Sequence, residues 1–451
     1  MAGWGRPTPP IVENSMAIDH THEPNRRSWV ASANSAGTDF PLQNLPLGVF
    51  STTSLGLRCG VAIGEKILDL RAAAGRGLLR KPAAEAVLGD NLDALFALGR
   101  GAMKELRHDV FAILDSEKGT ADDSLLHNMS DCAMHLPTSI RSFTDFFVGI
   151  HHAIRCGQII SGPDYQLPLN YHYMPTAYNG RASTVLVSGT ELRRPVGLRK
   201  RLDQDTLPTF GPSLWLDFEL EMGFFVGPGN KTGEPIAIDE AADHVVGFCL
   251  LNDWSARDIQ MFEMAPLGAF NGKSSGTTIS PWVITADAME PFRLPSMERM
   301  PGAPSVPSYL VDPLDQREGG IDVALSATIS TEKMRAAGES PAPLLKTGAR
   351  YMYWTVAQML TQHTITGCRL TPGDLIGTGT ISGPTRADLA SFFELSTVAK
   401  EPITLPNGEQ RGFIDDGDEI AFFGRCERKG FASIGFGTCM GRVTPALKSV
   451  G

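Results

Sequence analysis

The alternation of apolar and acidic residues is sharpest between residues 215 and 222. Leu216, Phe218, Leu220 and Met222 fall on one side of a predicted period-two strand, and Asp217, Glu219 and Glu221 fall on the other. Side chains two residues apart on a strand are about 7 Å apart, so these carboxylates would share a small volume and repel each other. The stretch is therefore either an edge strand with a solvated acidic face or a strand that binds a hard cation, which prefers carboxylate oxygens.

Short apolar runs bounded by turn residues predict mainly β structure in the rest of the chain. A hairpin is predicted over residues 60–70, helices over 81–118, and one further helix from the apolar spacing over 352–360. Strands outnumber helices, and the regular strand–helix alternation of a doubly wound parallel sheet is missing. The predicted class is mainly β, of the α+β type.

The chain divides into three predicted parts. Residues 1–40 lack the apolar run of a signal peptide and are interpreted as a flexible leader. Residues 41–137 predict a small barrel-like domain with attached helices, in which we find no catalytic constellation. Residues 138–451 are richer in strands and carry all of the candidate chemistry, so they are interpreted as the catalytic domain.

Charge and cysteine content narrow the classes of partner. A net charge of -10 disfavours nucleic acid and anionic membranes as partners, and no apolar run approaches the length of a membrane span. The seven cysteines are scattered and form no Cys-x-x-Cys pair, which argues against a zinc knuckle or a disulfide framework. We expect a cytoplasmic protein with reduced cysteines that acts on a small molecule.

Two segments outside the acidic stretch place a possible base and a carboxylate near strand ends. Asp145 lies among aromatic residues, where an unpaired carboxylate is costly, and the pair His151-His152 follows it. Histidine is the usual general base near neutral pH, although a hydrogen-bonded structural histidine is the commoner role for a single one. An apolar strand runs directly into Asp253.

Two later segments complete the candidate chemistry. Lys273 lies in a loop of small residues, where its cation could balance surplus carboxylates or polarise a carbonyl. The glycines of residues 377–383 allow close approach of the backbone to a ligand, and Glu394 follows them. Their spacing is not that of a dinucleotide-binding fingerprint.

Seven separated motifs connect these segments with a known family. In chain order they are Leu45-Pro46-Leu47-Gly48-Val49-Phe50-Ser51, Phe143-Thr144-Asp145-Phe146, Tyr178-Asn179-Gly180-Arg181-Ala182-Ser183, Glu219-Leu220-Glu221-Met222, Asn252-Asp253-Trp254-Ser255-Ala256-Arg257-Asp258-Ile259-Gln260, Gly272-Lys273-Ser274 and Gly379-Thr380-Ile381-Ser382-Gly383. Together they resemble the fumarylacetoacetase family over nearly everything from Leu42 onward. The resemblance implies an N-terminal SH3-like β-barrel followed by the β-roll catalytic domain of that family, assembled as a homodimer.

The resemblance also implies roles for the matching positions. The ligands of one divalent cation, Ca²⁺ or Mg²⁺, would be Asp145, Glu219, Glu221 and Asp253. Lys273 and Thr277, with Asp253, match positions around a second, magnesium-type site, although a protonated amine has no lone pair to donate to a metal. The implied catalytic residues are His152 as proton acceptor, Glu394 as its orienting partner, and Lys273 and Arg257 beside the leaving enolate.

The positions implied to contact substrate are Phe147, Ser161, Tyr178, Gln260, Met264 and Thr380. At Phe147, Ser161 and Met264 the family usually has tyrosine, arginine and tyrosine, so each departure removes a polar or charged group. A serine cannot replace an arginine that binds a carboxylate through two hydrogen bonds. Either the substrate is less acidic than fumarylacetoacetate, or another residue fills the gap and the substrate is unchanged.

The resulting hypothesis is metal-dependent hydrolysis of a carbon–carbon bond in a 1,3-diketo acid, with fumarylacetoacetate as the first candidate substrate and tyrosine and phenylalanine breakdown as the setting. A relative that uses the same site for decarboxylation, isomerisation or retro-aldol cleavage in a specialised pathway is the alternative. A non-catalytic scaffold with a structural metal is a third reading, but it would not require His152, Lys273, Thr380 and Glu394 together.

Overall fold

A computed structural model describes residues 18–202 and 204–448 of the chain. The strands are β1 (Leu47–Ser51), β2 (Arg58–Ile63), β3 (Lys66–Asp69), β4 (Leu126–Asn128), β5 (Ala133–His135), β6 (Phe143–Phe146), β7 (Ala177–Asn179), β8 (Val185–Val187), β9 (Leu192–Arg193), β10 (Val196–Arg199), β11 (Thr209–Pro212), β12 (Leu216–Asp217), β13 (Leu220–Val226), β14 (Val245–Asp253), β15 (Ser255–Ala256), β16 (Thr277–Ile279), β17 (Ile284–Thr285), β18 (Arg293–Leu294), β19 (Gly320–Ile321), β20 (Ala324–Ser330), β21 (Ala342–Gly348), β22 (Leu375–Gly377), β23 (Ile403–Thr404), β24 (Gln410–Arg411), β25 (Glu419–Cys426) and β26 (Ile434–Thr444). The α-helices are α1 (Leu70–Gly75), α2 (Ala83–Ala86), α3 (Asp93–Phe96), α4 (Gly99–Leu114), α5 (Ile150–Ser161), α6 (Arg257–Glu263), α7 (Pro313–Glu318), α8 (Glu332–Ala336), α9 (Val356–Thr364) and α10 (Phe392–Leu395).

The N-terminal part is a five-stranded antiparallel sheet in the order β4-β3-β2-β1-β5, with helices α1 to α4 beside it. The predicted hairpin is present: Ile63 pairs with Lys66, so Gly64 and Glu65 form a two-residue turn. Gly64 has a φ of +56°, a conformation that side chains disfavour and that primed hairpin turns require. The core of this sheet is continuous with the next domain, since Phe96 packs against Phe225 with ring centroids 6.0 Å apart.

Residues 18–40 pack against the body of the protein. Two 3-10 helices, His20–His22 and Ala31–Asn34, lie in this segment. His22 is buried and its Nε2 contacts the backbone carbonyl of Asp287 at 2.8 Å, while the Ser28 hydroxyl donates to the carbonyl of Leu114. These buried contacts correct the prediction of a flexible leader for residues 18–40, and residues 1–17 lie outside the described part.

An eight-stranded mixed sheet forms the centre of the second domain. Its order is β7-β6-β22-β13-β14-β16-β8, with β17 also paired to β14. Strand β6 runs parallel to β22, whereas β13 is antiparallel to both of its neighbours. The C-terminal ends of β6, β22 and β14 therefore meet the N-terminal ends of β13 and β16 at one edge, where the candidate site lies.

A second, five-stranded sheet in the order β21-β20-β25-β26-β9 completes the large core. Phe422 on β25 packs edge-on against Phe218 with ring centroids 5.7 Å apart, which joins this sheet to the acidic stretch. The predicted mainly-β, two-domain fold is confirmed.

The acidic stretch is not one continuous strand. It forms β12 and β13 with a break at Phe218 and Glu219, and every residue from Trp215 to Met222 is buried. Strand β13 lies inside the sheet between β22 and β14, so the edge-strand interpretation with a solvated acidic face is wrong. Because the strand breaks, Asp217 leaves the acidic face: it accepts hydrogen bonds from the backbone N–H groups of Phe392 and Phe393.

The helix predicted over 352–360 begins later, at Val356, and continues to Thr364. Thr355 and Gln358 form a capping box, in which the side chain of each residue accepts a hydrogen bond from the backbone N–H of the other, and this fixes the start of the helix. Met352 precedes the cap and is buried in an extended segment.

In the part of the chain that the structure describes, we find no helix with both the length and the apolar content that a bilayer crossing requires. The 16 residues of α4 fall short of the roughly 20 that such a crossing needs.

Candidate active site

Three buried carboxylates converge at the shared edge of the eight-stranded sheet. Asp145 lies on β6, Glu221 on β13 and Asp253 at the end of β14, and one oxygen of each lies within 4.8 Å of the others. Gly377 at the end of β22 makes room for this group, since a Cβ there would lie 2.5 Å from Oδ1 of Asp145. The sheet register thus brings together three acids that are distant in sequence.

The chemistry of this group fits a hard cation. Oε1 of Glu221 is buried and has no hydrogen-bond partner, while Oε2 accepts from the N–H of Gly379 at 3.0 Å. Burial raises the pKa of Asp145 and of Glu221 well above the usual range, and the neighbouring carboxylates raise both further. A divalent cation would relieve this repulsion, and Glu221 would offer it the unpaired oxygen.

Glu219 was predicted as a fourth ligand, but the structure places it with the cations instead. It accepts a hydrogen bond from Nζ of Lys273, and it forms an ion pair with Arg257 at 2.7 Å. Among the described residues, its oxygens lie outside the group of three carboxylates that are within 4.8 Å of one another, so its role as fourth ligand stays a prediction. Burial raises the pKa of Glu219, but the Arg257 and Lys273 charges outweigh this and lower it far below the usual range.

Lys273 and Arg257 are each shared between two buried carboxylates. Nζ of Lys273 donates to Oδ2 of Asp253 at 2.6 Å as well as to Glu219. Arg257 also pairs with Asp217 at 2.9 Å. Burial lowers the pKa of Lys273, but these carboxylates raise it above the usual value, so the amine stays protonated and cannot itself bind a metal. These two contacts favour a charge-balancing role for Lys273, and its place in a second metal site stays a prediction.

Two hydroxyl groups hold Asp253 in place. The Tyr178 hydroxyl donates to Oδ2 at 2.7 Å, and the Thr277 hydroxyl donates to Oδ1 at 3.0 Å. Thr277 thus orients a carboxylate of the acidic group, and its place in a second metal site stays a prediction. Hydrogen bonds of this kind fix the direction of the lone pairs that a cation would use.

His152 and Glu394 form a buried pair. Nδ1 of His152 lies 2.8 Å from Oε2 of Glu394, and that carboxylate oxygen also accepts from the hydroxyls of Ser382 at 2.7 Å and Ser391 at 3.0 Å. Nε2 of His152 faces Glu219 at 3.9 Å. The predicted pairing of these residues, 242 positions apart, is therefore present in the structure.

The charges of this pair are coupled. Burial lowers the pKa of His152, but the adjacent Cys156 and Glu394 outweigh it and hold the pKa well above the usual value. Burial raises the pKa of Glu394, yet His152 and the Ser382 hydroxyl lower it to about 2. An imidazole that shares its Nδ1 proton with a carboxylate is a stronger base at Nε2.

A cavity of about 500 Å³ opens above these groups. One face of α6 contributes Arg257, Gln260 and Met261, with Met264 directly after the helix, at the spacing that places side chains on one side. All six predicted substrate positions line it: Phe147, Ser161, Tyr178, Gln260, Met264 and Thr380. Of the predicted catalytic residues, His152, Lys273 and Arg257 line the cavity, and Glu394 lies behind His152.

The chain matches two family models that together cover most of its length. Residues 43–137 match the model described as "Fumarylacetoacetase N-terminal", and residues 149–444 match "Fumarylacetoacetate (FAA) hydrolase C-terminal". The chain belongs to the fumarylacetoacetate hydrolase family.

Curated relatives of this family member are similar over almost their whole length. The fumarylacetoacetase of Arabidopsis thaliana is 42% identical over 417 residues, which cover 90% of this chain and 96% of the relative. The fumarylacetoacetase of Homo sapiens is 42% identical over 419 residues, which cover 91% of this chain and 97% of the relative.

Three residues at the site of this family member were not predicted from the sequence. Sγ of Cys156 lies 3.5 Å from Nε2 of His152 and lines the cavity; the i, i+4 spacing on α5 was the available signal. Ser382 and Ser391 bind Glu394, but no spacing in the sequence connects them with it, because their contact depends on how the loop before α10 folds.

The His152–Glu394 pair should set the pH dependence of the reaction. A base must be neutral to accept a proton, so we expect kcat/KM to rise as the pH rises through the elevated pKa of His152. Glu394→Gln removes the anion that stabilises the imidazolium, so the pKa of His152 falls and the acidic limb shifts to lower pH. The plateau rate should fall about 10²-fold, since the amide no longer stabilises the charge. The pH–rate profile measures both effects.

The matched control is Glu401→Gln, which changes an exposed carboxylate paired with Arg386 on the same segment. It should leave the acidic limb in place. An unshifted limb in Glu394→Gln would contradict the assignment of His152 as the titrating base.

Proposed function

We propose that the protein hydrolyses the carbon–carbon bond between the two carbonyl groups of a 1,3-diketo acid, and that it converts fumarylacetoacetate to fumarate and acetoacetate. The curated relatives named fumarylacetoacetase support this substrate. The observation that carries the proposal is the His152–Glu394 pair, 2.8 Å apart, in a cavity that also contains buried carboxylates and a buried lysine.

Asp145, Glu221 and Asp253, with Glu219 as the predicted fourth ligand, are the residues that would hold a divalent cation. When bound, such an ion polarises a carbonyl oxygen and stabilises negative charge that develops on it. The all-carboxylate donor set favours Ca²⁺ or Mg²⁺ over softer metals.

His152 is proposed to activate water. Its Nε2, on the side away from Glu394, accepts a proton as the water oxygen adds to one carbonyl carbon. The carbon–carbon bond then breaks, its electron pair passes to the departing methylene carbon as an enolate, and the imidazolium returns the proton to that carbon. Glu394 keeps Nδ1 protonated and stabilises the imidazolium between the two transfers.

Lys273 and Arg257 are proposed to stabilise the departing enolate. Both line the cavity, both are buried, and both are already held in place by carboxylates, so they need no reorganisation when charge develops.

An assay on purified protein tests the proposed function. With Mg²⁺ or Ca²⁺ present, fumarylacetoacetate should lose its enol absorbance and release fumarate and acetoacetate in equal amounts. Loss of the absorbance with release of carbon dioxide, or conversion to an isomer without cleavage, would assign another enolate reaction to the site. If the substrate does not change with either ion, both the proposed hydrolysis and the alternative enolate reactions are contradicted.

The identity of the ion, the oligomeric state and the cellular compartment stay predictions. We expect Ca²⁺ or Mg²⁺, a homodimer and the cytoplasm. Apolar side chains exposed on the β10–β11 hairpin, among them Leu198 and Phe210, support the homodimer.

A further inference from the structure

The charged and the apolar parts of the cavity wall are separated. The side chains of Asp145, Glu219, Glu221, Arg257, Lys273 and His152 are all buried. Phe147, Ile160 and Met264 line the same cavity but are 38%, 44% and 44% exposed, so they form its outer wall toward solvent. The wall therefore changes from ionic to apolar between its inner end and its mouth.

The outer wall carries no cation. Among the described residues that line the cavity, Arg257 and Lys273 are the sole lysine or arginine side chains, and each already binds two carboxylates at the inner end. Ser161, which follows Ile160 on α5, and Tyr165 and Thr176 line the cavity with neutral hydroxyls. Burial raises the pKa of Tyr165, so its hydroxyl remains uncharged.

The geometry of the base indicates which end of the substrate reaches this wall. The ring of Phe147 lies 5.6 Å from the ring of His152, and both His152 and Ile160 project from α5 at helical spacing. An acyl group attacked by water at His152 would extend along Phe147, whose ring lies beside the base, toward the outer wall. A carboxylate at the end of that acyl group would meet apolar carbon and neutral hydroxyls.

We infer that this outer wall, formed by Phe147, Ile160, Ser161 and Met264, selects the acyl end of the substrate by apolar contact, so that diketo acids with an uncharged acyl end are substrates as good as dicarboxylic ones. This inference rests on the proposed function. Where a site binds a substrate carboxylate through a buried ion pair, removal of that carboxylate costs about 30-fold or more. Here the contribution of the acyl carboxylate is small.

The test compares two substrates: fumarylacetoacetate, and the same acid with a methyl group in place of the carboxylate on the acyl end. For the unmodified protein with Mg²⁺, kcat/KM for the methyl-ended acid should be no lower than about one third of that for fumarylacetoacetate. A greater loss overturns the inference and leaves the proposed function intact. Cleavage of neither acid overturns the proposed function.

Two variants test whether the outer wall sets the preference between the two substrates. Met264→Arg places a cation on the wall and should raise kcat/KM for fumarylacetoacetate about tenfold over the methyl-ended acid, with the gain lost at high salt because the position is half exposed. Leu267→Arg adds the same charge three residues later, at a side chain that is 97% exposed and does not line the cavity, and should leave the substrate ratio unchanged. An unchanged ratio in Met264→Arg, or an equal change in Leu267→Arg, overturns the inference.

Discussion

Replacing His152 by alanine is expected to lower kcat for fumarylacetoacetate about 10³-fold while the protein stays folded and keeps its affinity for the divalent ion. The imidazole is the group that accepts the water proton, and loss of a general base typically costs 10²- to 10⁴-fold, about 10³-fold as a central value. The ion would be held by Asp145, Glu221 and Asp253, which the substitution does not touch. Single-turnover kinetics and a calorimetric titration with Mg²⁺ or Ca²⁺ measure the two effects separately.

His151→Ala is the matched control for this experiment. His151 precedes His152 on α5, but its ring packs against Tyr351 with centroids 5.9 Å apart, and it does not line the cavity. It should retain most of the activity. If His152→Ala kept its full rate, or if both variants lost activity equally, His152 would not be the base.

Replacing Glu221 by glutamine is expected to weaken binding of the divalent ion at least about 100-fold and to abolish turnover at micromolar ion concentrations. The carboxylate supplies the buried oxygen that has no protein partner, and an amide oxygen carries much less charge. Isothermal titration with Ca²⁺ and Mg²⁺, without substrate, measures the affinity directly.

Although Glu221→Gln should weaken ion binding, it should not destabilise the ion-free protein. The pKa of Glu221 is raised in the fold, so its ionised form opposes folding, and that cost grows as the pH rises above the unfolded value of 4.5. The neutral amide removes the cost, so the ion-free Tm at pH 7 should not fall.

The control is Asp315→Asn, a buried carboxylate that accepts from the Thr355 hydroxyl outside the cavity. It should leave ion affinity unchanged. Unchanged affinity in Glu221→Gln would show that the acidic group is not the ion site.

The mainly-β class was predictable because it depends on local pattern, whereas the acidic residues were grouped as ligands of one ion only through the family resemblance. Period-two alternation exposed Glu221, and an apolar run ending in an acid exposed Asp253. The alternation did not reveal the break at Phe218 and Glu219, since residues on both sides of it alternate in the same phase. Asp217 was therefore grouped with the wrong partners.

The helix start was set by a local Thr-x-x-Gln capping box that the apolar spacing does not register, and the attachment of residues 18–40 was set by tertiary hydrogen bonds. The cap at Thr355 delayed the helix past Met352, and buried contacts of His22 and Ser28 attached a segment that composition alone described as a leader. Both errors come from tertiary or capping interactions that outweigh local propensity.

The sequence by itself determined which groups are available to this protein: a β-rich scaffold, the carboxylates, the lysine and the histidine, and a family resemblance that links them. The tertiary structure alone decided how these charges pair. Sheet register gathers Asp145, Glu221 and Asp253 at one edge, while Glu219, on the adjoining break, turns to Lys273 and Arg257. The physical reason is that the free energy of a buried charge depends on partners a few ångströms away, and those partners come from elements up to hundreds of residues distant.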